Sequence, residues 1–164
     1  MATLTDITKI PLANAYWIDA LLNSGPDWNF LTSNGTDFRT TLYYTFSVTS
    51  GTESGMYATA FNTAQRAATA KAIAYVSEVT GINFVETSTG VSADLHFAQA
   101  NLGSEGLYTS GLCSQGSSYN YSGSFLTDYS ADAYVYLDNR TSSWFYAANQ
   151  NPTAGNSGYE TLLH

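Results

Sequence analysis

The feature that most restricts the fold is a capped helix set between β-prone segments. Asn62, with Gln65 three residues on, has the form of a capping box, in which each side chain satisfies an amide of the first helical turn. Phe61, Ala64, Ala68, Ala72, Tyr75, Val76 and Val79 then fall at helical spacing, with Gln65, Arg66, Thr69 and Glu78 elsewhere on the wheel. Gly81 stands where a left-handed C-terminal cap belongs. Upstream, residues 38–48 are rich in Thr, Tyr and Phe and read as a first strand. Downstream, residues 82–86 and 93–97 read as strands, and residues 133–137 as a final one. A strand, a long helix and further strands predict an α/β sheet with the helix laid across one face.

The remaining segments are less regular. Residues 12–23 suit a short amphipathic helix, ended by the turn chemistry of Ser24-Gly25-Pro26-Asp27, and Asn34-Gly35 marks another turn. From Ala98 to about Asp132 the chain is rich in Gly, Ser and Tyr with short β-prone pieces, and residues 139–157 read as polar loop. No internal period suggests repeats. A length of 164 residues fits a single domain over residues 1–164.

Charge excludes several functions. Thirteen acidic against five basic residues give a formal charge of −8, and no cluster of Lys or Arg offsets it. Such a chain repels phosphate backbones and anionic lipid, so neither nucleic acid nor a membrane surface is an expected partner. No apolar run approaches the ~20 residues that span a bilayer. Cys113 is the only cysteine, which rules out an intramolecular disulfide. The first residues show neither a basic nor an apolar region, so no cleaved signal peptide is expected.

Several residues invite a chemical reading. Leu107, Tyr108, Thr109 and Ser110 form a β-prone piece, either an open edge on which an extended peptide would lie or a covered one. His96 alternates with Leu95 and Phe97 and is expected to face solvent. Cys113, without Arg or Pro around it, reads as a small, inert or partly buried thiol rather than a latency ligand. Tyr119, Tyr121, Trp144, Phe145 and Tyr146 are either loop anchors or a peptide or carbohydrate platform. Triplets at Asn34, Asn120 and Asn139 fit glycosylation.

The chain also ends in a helix-like run, Gly158-Tyr159-Glu160-Thr161-Leu162-Leu163-His164, preceded by Asn151-Pro152. This is similar to the N-P…G-Y-x-T-x-x-H lead-in to the zinc-binding helix of serralysin-like metzincin proteases, where H-E-x-x-H-x-x-G-x-x-H follows. Asp19-Ala20-Leu21-Leu22 with Asp27-Trp28-Asn29 resembles the family's opening helix and turn. Leu42-Tyr43-Tyr44-Thr45-Phe46 resembles its first strand, and Phe61-Asn62 with Gln65 its sheet-covering helix. Ile82-Asn83-Phe84 and Ala93-Asp94-Leu95-His96-Phe97 resemble the strands that follow.

The resemblance implies a twisted mixed sheet of four to five strands with an antiparallel edge, covered by a long helix, plus a short N-terminal helix and a truncated active-site helix. It implies a zinc endopeptidase acting on protein or peptide substrates, secreted without a cleaved leader. His164 would be the first metal ligand, with calcium bound in a C-terminal region. The glutamate base, the other two histidines, the methionine turn and the glycine-rich repeats of that family are not among residues 1–164, so no catalytic group is expected within the chain. The isolated chain is accordingly expected to be inactive and to bind zinc weakly; a third reading is one half of a split or self-cleaved protease, whose partner, a complementary C-terminal fragment, supplies the rest of the helix. The alternative is a non-catalytic, secreted, β-rich module that binds peptide or carbohydrate.

Overall fold

The computed structural model describes Thr3 and residues 41–164. The expected helix at residues 12–23, the turns at residues 24–27 and 34–35, and the start of the first expected strand lie outside the described residues. The chain divides into two compact units, Met1–Arg39 with Gln115–Ala131, and Thr40–Ser114 with Asp132–His164.

In chain order the elements are β1 (Thr41–Thr45), α1 (Thr63–Thr80), β2 (Asn83–Glu86), a 3-10 turn (Gly90–Ser92), β3 (Leu95–Ala100), β4 (Gly111–Ser122), β5 (Phe125–Asp138), α2 (Tyr146–Gln150) and α3 (Ser157–Leu163). The protein is mixed α/β, with one five-stranded sheet in the order β2-β1-β3-β5-β4. Strands β2, β1, β3 and β5 are parallel, in the registers Leu42 to Phe84, Thr45 to His96 and His96 to Tyr134. Strand β4 joins β5 through Gly123 and Ser124, a loop so short that only antiparallel neighbours allow it.

Helix α1 starts and stops where its sequence dictates. The Asn62 side chain accepts from the Gln65 amide at 2.9 Å, and the Gln65 side chain accepts from the Asn62 amide at 2.8 Å. Gly81 adopts φ 74° and donates to Ser77 O at 2.8 Å.

The buried face of α1 differs from the apolar stripe. Gln65 and Thr69 are fully buried with Ala68 and Ala72, whereas Tyr75, Val76 and Val79 are exposed. A polar face can be buried because every group on it is bonded. Gln65 Nε2 donates to Asn149 O at 2.9 Å, and Thr69 Oγ1 donates to Gln65 O at 2.9 Å. Gln150 Nε2 donates to Gln99 Oε1 at 2.7 Å, and Asn62 Nδ2 to Gln150 O at 3.0 Å. These amides tie the start of α1 to the end of β3 and to α2.

The two faces of the sheet are filled differently. On the helix side Tyr44, Phe46, Phe61, Phe97 and Leu137 form the core, with Ile73 and Leu162 packed against them. Tyr44 meets Phe46 edge to face at 5.7 Å and Phe97 likewise at 6.2 Å, each pair adding about 0.5–1.5 kcal/mol beyond its buried area. On the other side the small Ala98 and Ala100 leave room for Val48, Met56 and Ala58 of the β1–α1 connection, beside Leu102 and Tyr136. That connection is seated by two glycines. A Cβ on Gly51 would lie 2.5 Å from the carbonyl carbon of Gly90, and one on Gly90 would strike Ser50 O.

In the other unit, Ser118 Oγ and Ser130 Oγ share a hydrogen bond at 2.8 Å, and Leu126 and Tyr129 are buried. Thr3 forms an antiparallel bridge with Phe125. From Gly111 onward the Gly-, Ser- and Tyr-rich stretch is therefore a long β-hairpin rather than a set of short β pieces. Alternating small polar residues leave its backbone free to pair, and composition alone does not reveal this.

Asn62→Ala removes both the cap and the bond to Gln150, and is expected to lower unfolding stability by about 1 kcal/mol or more in urea titrations.

Candidate functional site

Helix α3 brings its last turn to the start of the edge strand. Asn156 caps it, accepting from the Tyr159 amide at 3.0 Å. Gly158 is buried because any Cβ would collide with the carbonyl of Ala148, so α2 and α3 touch backbone to backbone. Leu162 packs on the aromatic core. Thr161 faces β4: its hydroxyl and that of Ser110 are 2.9 Å apart, and a Cβ on Gly111 would strike the Thr161 methyl.

His164 closes the helix, its amide donating to Glu160 O at 3.0 Å. It is exposed. It follows Thr161 by three residues, at the C-terminal cap of the helix.

Leu107, Tyr108, Thr109 and Ser110, expected as a β edge, are not part of a strand. Leu107 and Tyr108 lie in a turn, 67% and 69% exposed, and the edge strand begins only at Gly111. The turn forms because Arg140 Nη2 donates to Gly106 O at 3.2 Å and Leu107 O at 3.4 Å. Thr109 follows, its amide reaching Gly106 O at 3.4 Å. Of the four residues, Ser110 is the one placed against α3.

Ser110 is held by Asn149, which residues 139–157 conceal in what reads as loop but includes the short helix α2. Asn149 is fully buried; its Nδ2 donates to Ser110 O at 2.9 Å and to Asp138 O at 3.0 Å. Two carbonyls facing one NH2 fix the amide's orientation. Asn149 has no periodic or motif signature, so sequence reading misses it.

Asp138, also fully buried, closes β5. Burial pushes its carboxyl up, but Arg140 together with the Leu102 amide, Ser143 and the Arg140 amide holds it below the usual carboxylate range. The Arg140 Nε–H is shared between the two carboxylate oxygens, at 2.9 and 3.0 Å.

A second polar cluster lies on the opposite sheet face. His96 is 6% exposed rather than solvent-facing, stacked on Tyr134 with centroids 4.5 Å apart. Both faces of this sheet are covered, so alternation does not report exposure. His96 Nε2 is 3.2 Å from Ala93 O and 3.9 Å from Asp132 Oδ1, and its buried Nδ1 has no hydrogen-bond partner among the described residues. Burial drives the imidazole below its ordinary value against the pull of Asp132 and Asp94. Nearby, Tyr136 is pushed well above the usual phenol value by burial and by its bond to Glu53, which also accepts from Ser114 Oγ at 2.6 Å.

Cys113 is exposed on β4 rather than partly buried. Tyr119, Tyr121 and Trp144 are exposed, while Phe145 and Tyr146 are half-buried. Among the described residues, no group of three or more His, Cys, Asp or Glu side chains is placed to hold a metal ion, and no helix is long and apolar enough to cross a membrane. No family model matches the chain, and no curated protein matches it in sequence.

Two outcomes follow from these clusters. Asp138→Ala leaves Arg140 and the Leu102 amide unpaired and is expected to cost about 3–5 kcal/mol by urea denaturation. The unfolded chain takes up a proton at His96 more readily than the folded one. Its contribution to stability is therefore complete above about pH 6.5 and is lost as pH falls from there toward the lower folded value. The urea midpoint should drop between about pH 7 and about pH 5, and His96→Phe should flatten that slope.

Proposed function

We propose that this chain forms the sheet-bearing part of a serralysin-like zinc endopeptidase and contributes His164 as one metal ligand. The observation that carries this reading is the junction of α3 with β4. A helix ending in an imidazole has its preceding turn on the first residues of an antiparallel edge strand. The strand order, with three parallel neighbours and one antiparallel edge under a long helix, is compatible with a metzincin-like sheet. An extended peptide would add to the β4 edge through main-chain hydrogen bonds, which makes affinity largely independent of side chains.

Zinc asks for four ligands at ~2.0–2.3 Å, and one imidazole does not satisfy it. The described residues therefore do not make a zinc site by themselves, and no hydrolytic step is assigned to them. The remaining ligands would come from residues beyond this chain or from a complementary fragment. Secretion and calcium binding in the intact enzyme belong to the same proposal. The second reading, a β-rich binding module, draws on the exposure of Tyr119 and Tyr121, alternate residues on one face of β4.

Calorimetric zinc titration tests the assignment. Zinc should bind the purified chain weakly, His164→Ala should abolish that binding, and peptide turnover should be absent. Binding that survives His164→Ala removes this residue from the metal site. Chelator-sensitive turnover by the purified chain overturns the view that it lacks a catalytic group.

A further inference from the structure

We propose that the Ser110–Thr161 hydroxyl pair, locked from behind by Asn149, is a positioning device that sets the distance between the β4 edge and the turn bearing His164. The inference rests on the reading of His164 as a ligand beside a peptide-binding edge.

Three features meet at this contact. Ser110 is fixed from several directions: its carbonyl accepts from the Asp138 amide at 2.9 Å and from Asn149 Nδ2 at 2.9 Å, and its hydroxyl lies 3.2 Å from Asn149 Oδ1. Thr161 is fixed to its own helix, with Oγ1 2.7 Å from Ser157 O. Gly111 supplies the clearance, since any side chain there would strike the Thr161 methyl and would sit 2.9 Å from Tyr136 O. The spacing between strand and helix is thereby bounded from below by contact and from above by hydrogen bonding.

Proton counting shows why both hydroxyls are needed. Two hydroxyl protons serve three contacts: Thr161 to Ser157 O, Thr161 with Ser110, and Ser110 to Asn149 Oδ1. The bond between strand and helix forms when one of the two protons is given to it: Ser110 donates to Thr161 while Thr161 donates to Ser157 O, or Thr161 donates to Ser110 while Ser110 donates to Asn149 Oδ1. Loss of either hydroxyl removes this bond in both arrangements. A valine at position 161 keeps the shape and removes the bond.

Position matters for function because a metal ligand and a substrate strand must be held to within about 0.5 Å to be productive. Burial of Leu162 in the core sets the depth of α3 but leaves rotation and sliding along the sheet to polar contacts. The Ser110–Thr161 bond is such a contact, one turn before His164. Asn149 and Thr161 act through this spacing and touch neither peptide nor metal.

A nitroxide label at residue 164, placed through His164→Cys in a Cys113→Ser background, reads the geometry without reference to zinc. The label should strongly broaden the amide resonances of residues 111–114 in the otherwise unaltered chain and equally with Thr161→Ser. With Thr161→Val the broadening should fall severalfold while the melting temperature holds. Undiminished broadening with Thr161→Val overturns the proposal. Should Thr161→Val lower the melting temperature, Ser110→Ala removes the other hydroxyl and is read by the same criterion. Loss of zinc binding in His164→Ala is measured separately on the unlabelled chain, so failure of the ligand reading and failure of the positioning device give different results.

Discussion

A single side-chain amide at the end of the sheet organises much of what surrounds it. Asn149 offers its two N–H groups to the carbonyls of Ser110 and Asp138, and its own backbone carbonyl accepts from Gln65. Ser110 directly precedes strand β4 and Asp138 ends strand β5, so one residue registers both strands against α1. An unbonded buried amide would cost several kcal/mol, which makes the arrangement close to all-or-none. The Asp138–Arg140 pair works at the same end, fixing the 102–108 turn that leads into the edge.

The helix face of the sheet and its opposite face illustrate two ways of building a core. Interlocked aromatic rings fill the first. The second relies on alanines that admit an irregular connection, and on polar groups that burial has shifted away from their solution behaviour. His96 belongs to this second kind. It is neutral by desolvation rather than by lack of acidic neighbours, since Asp94 and Asp132 both favour its charged form.

Local signals in the sequence carried much of the fold. The capping box and Gly81 define α1 to the residue, and β1, β2 and the end of β5 fall within the expected segments. What stayed hidden is instructive. The long hairpin is rich in Ser, Gly and Tyr, a composition that resembles loop. Helix α2 is a single turn and too short for periodicity to mark. Gln65 and Thr69, set apart from the apolar positions on the wheel, are buried because partners for their polar groups wait inside. His96 failed the alternation rule for a related reason, being on a sheet with no open face at that point. Of the candidate site, the helical character of the last segment was legible, as was the nearness of Ser110 to an edge strand. The edge itself starts one residue later than the expected segment ends, because Arg140 draws residues 106–107 into a turn.

The facing glycines at positions 51 and 90 carry a consequence for substitution. A methyl group on Gly51 would meet the Gly90 carbonyl, and one on Gly90 would meet the Ser50 carbonyl. A side chain at either position can therefore be accepted only if the backbone of one of the two connections moves aside.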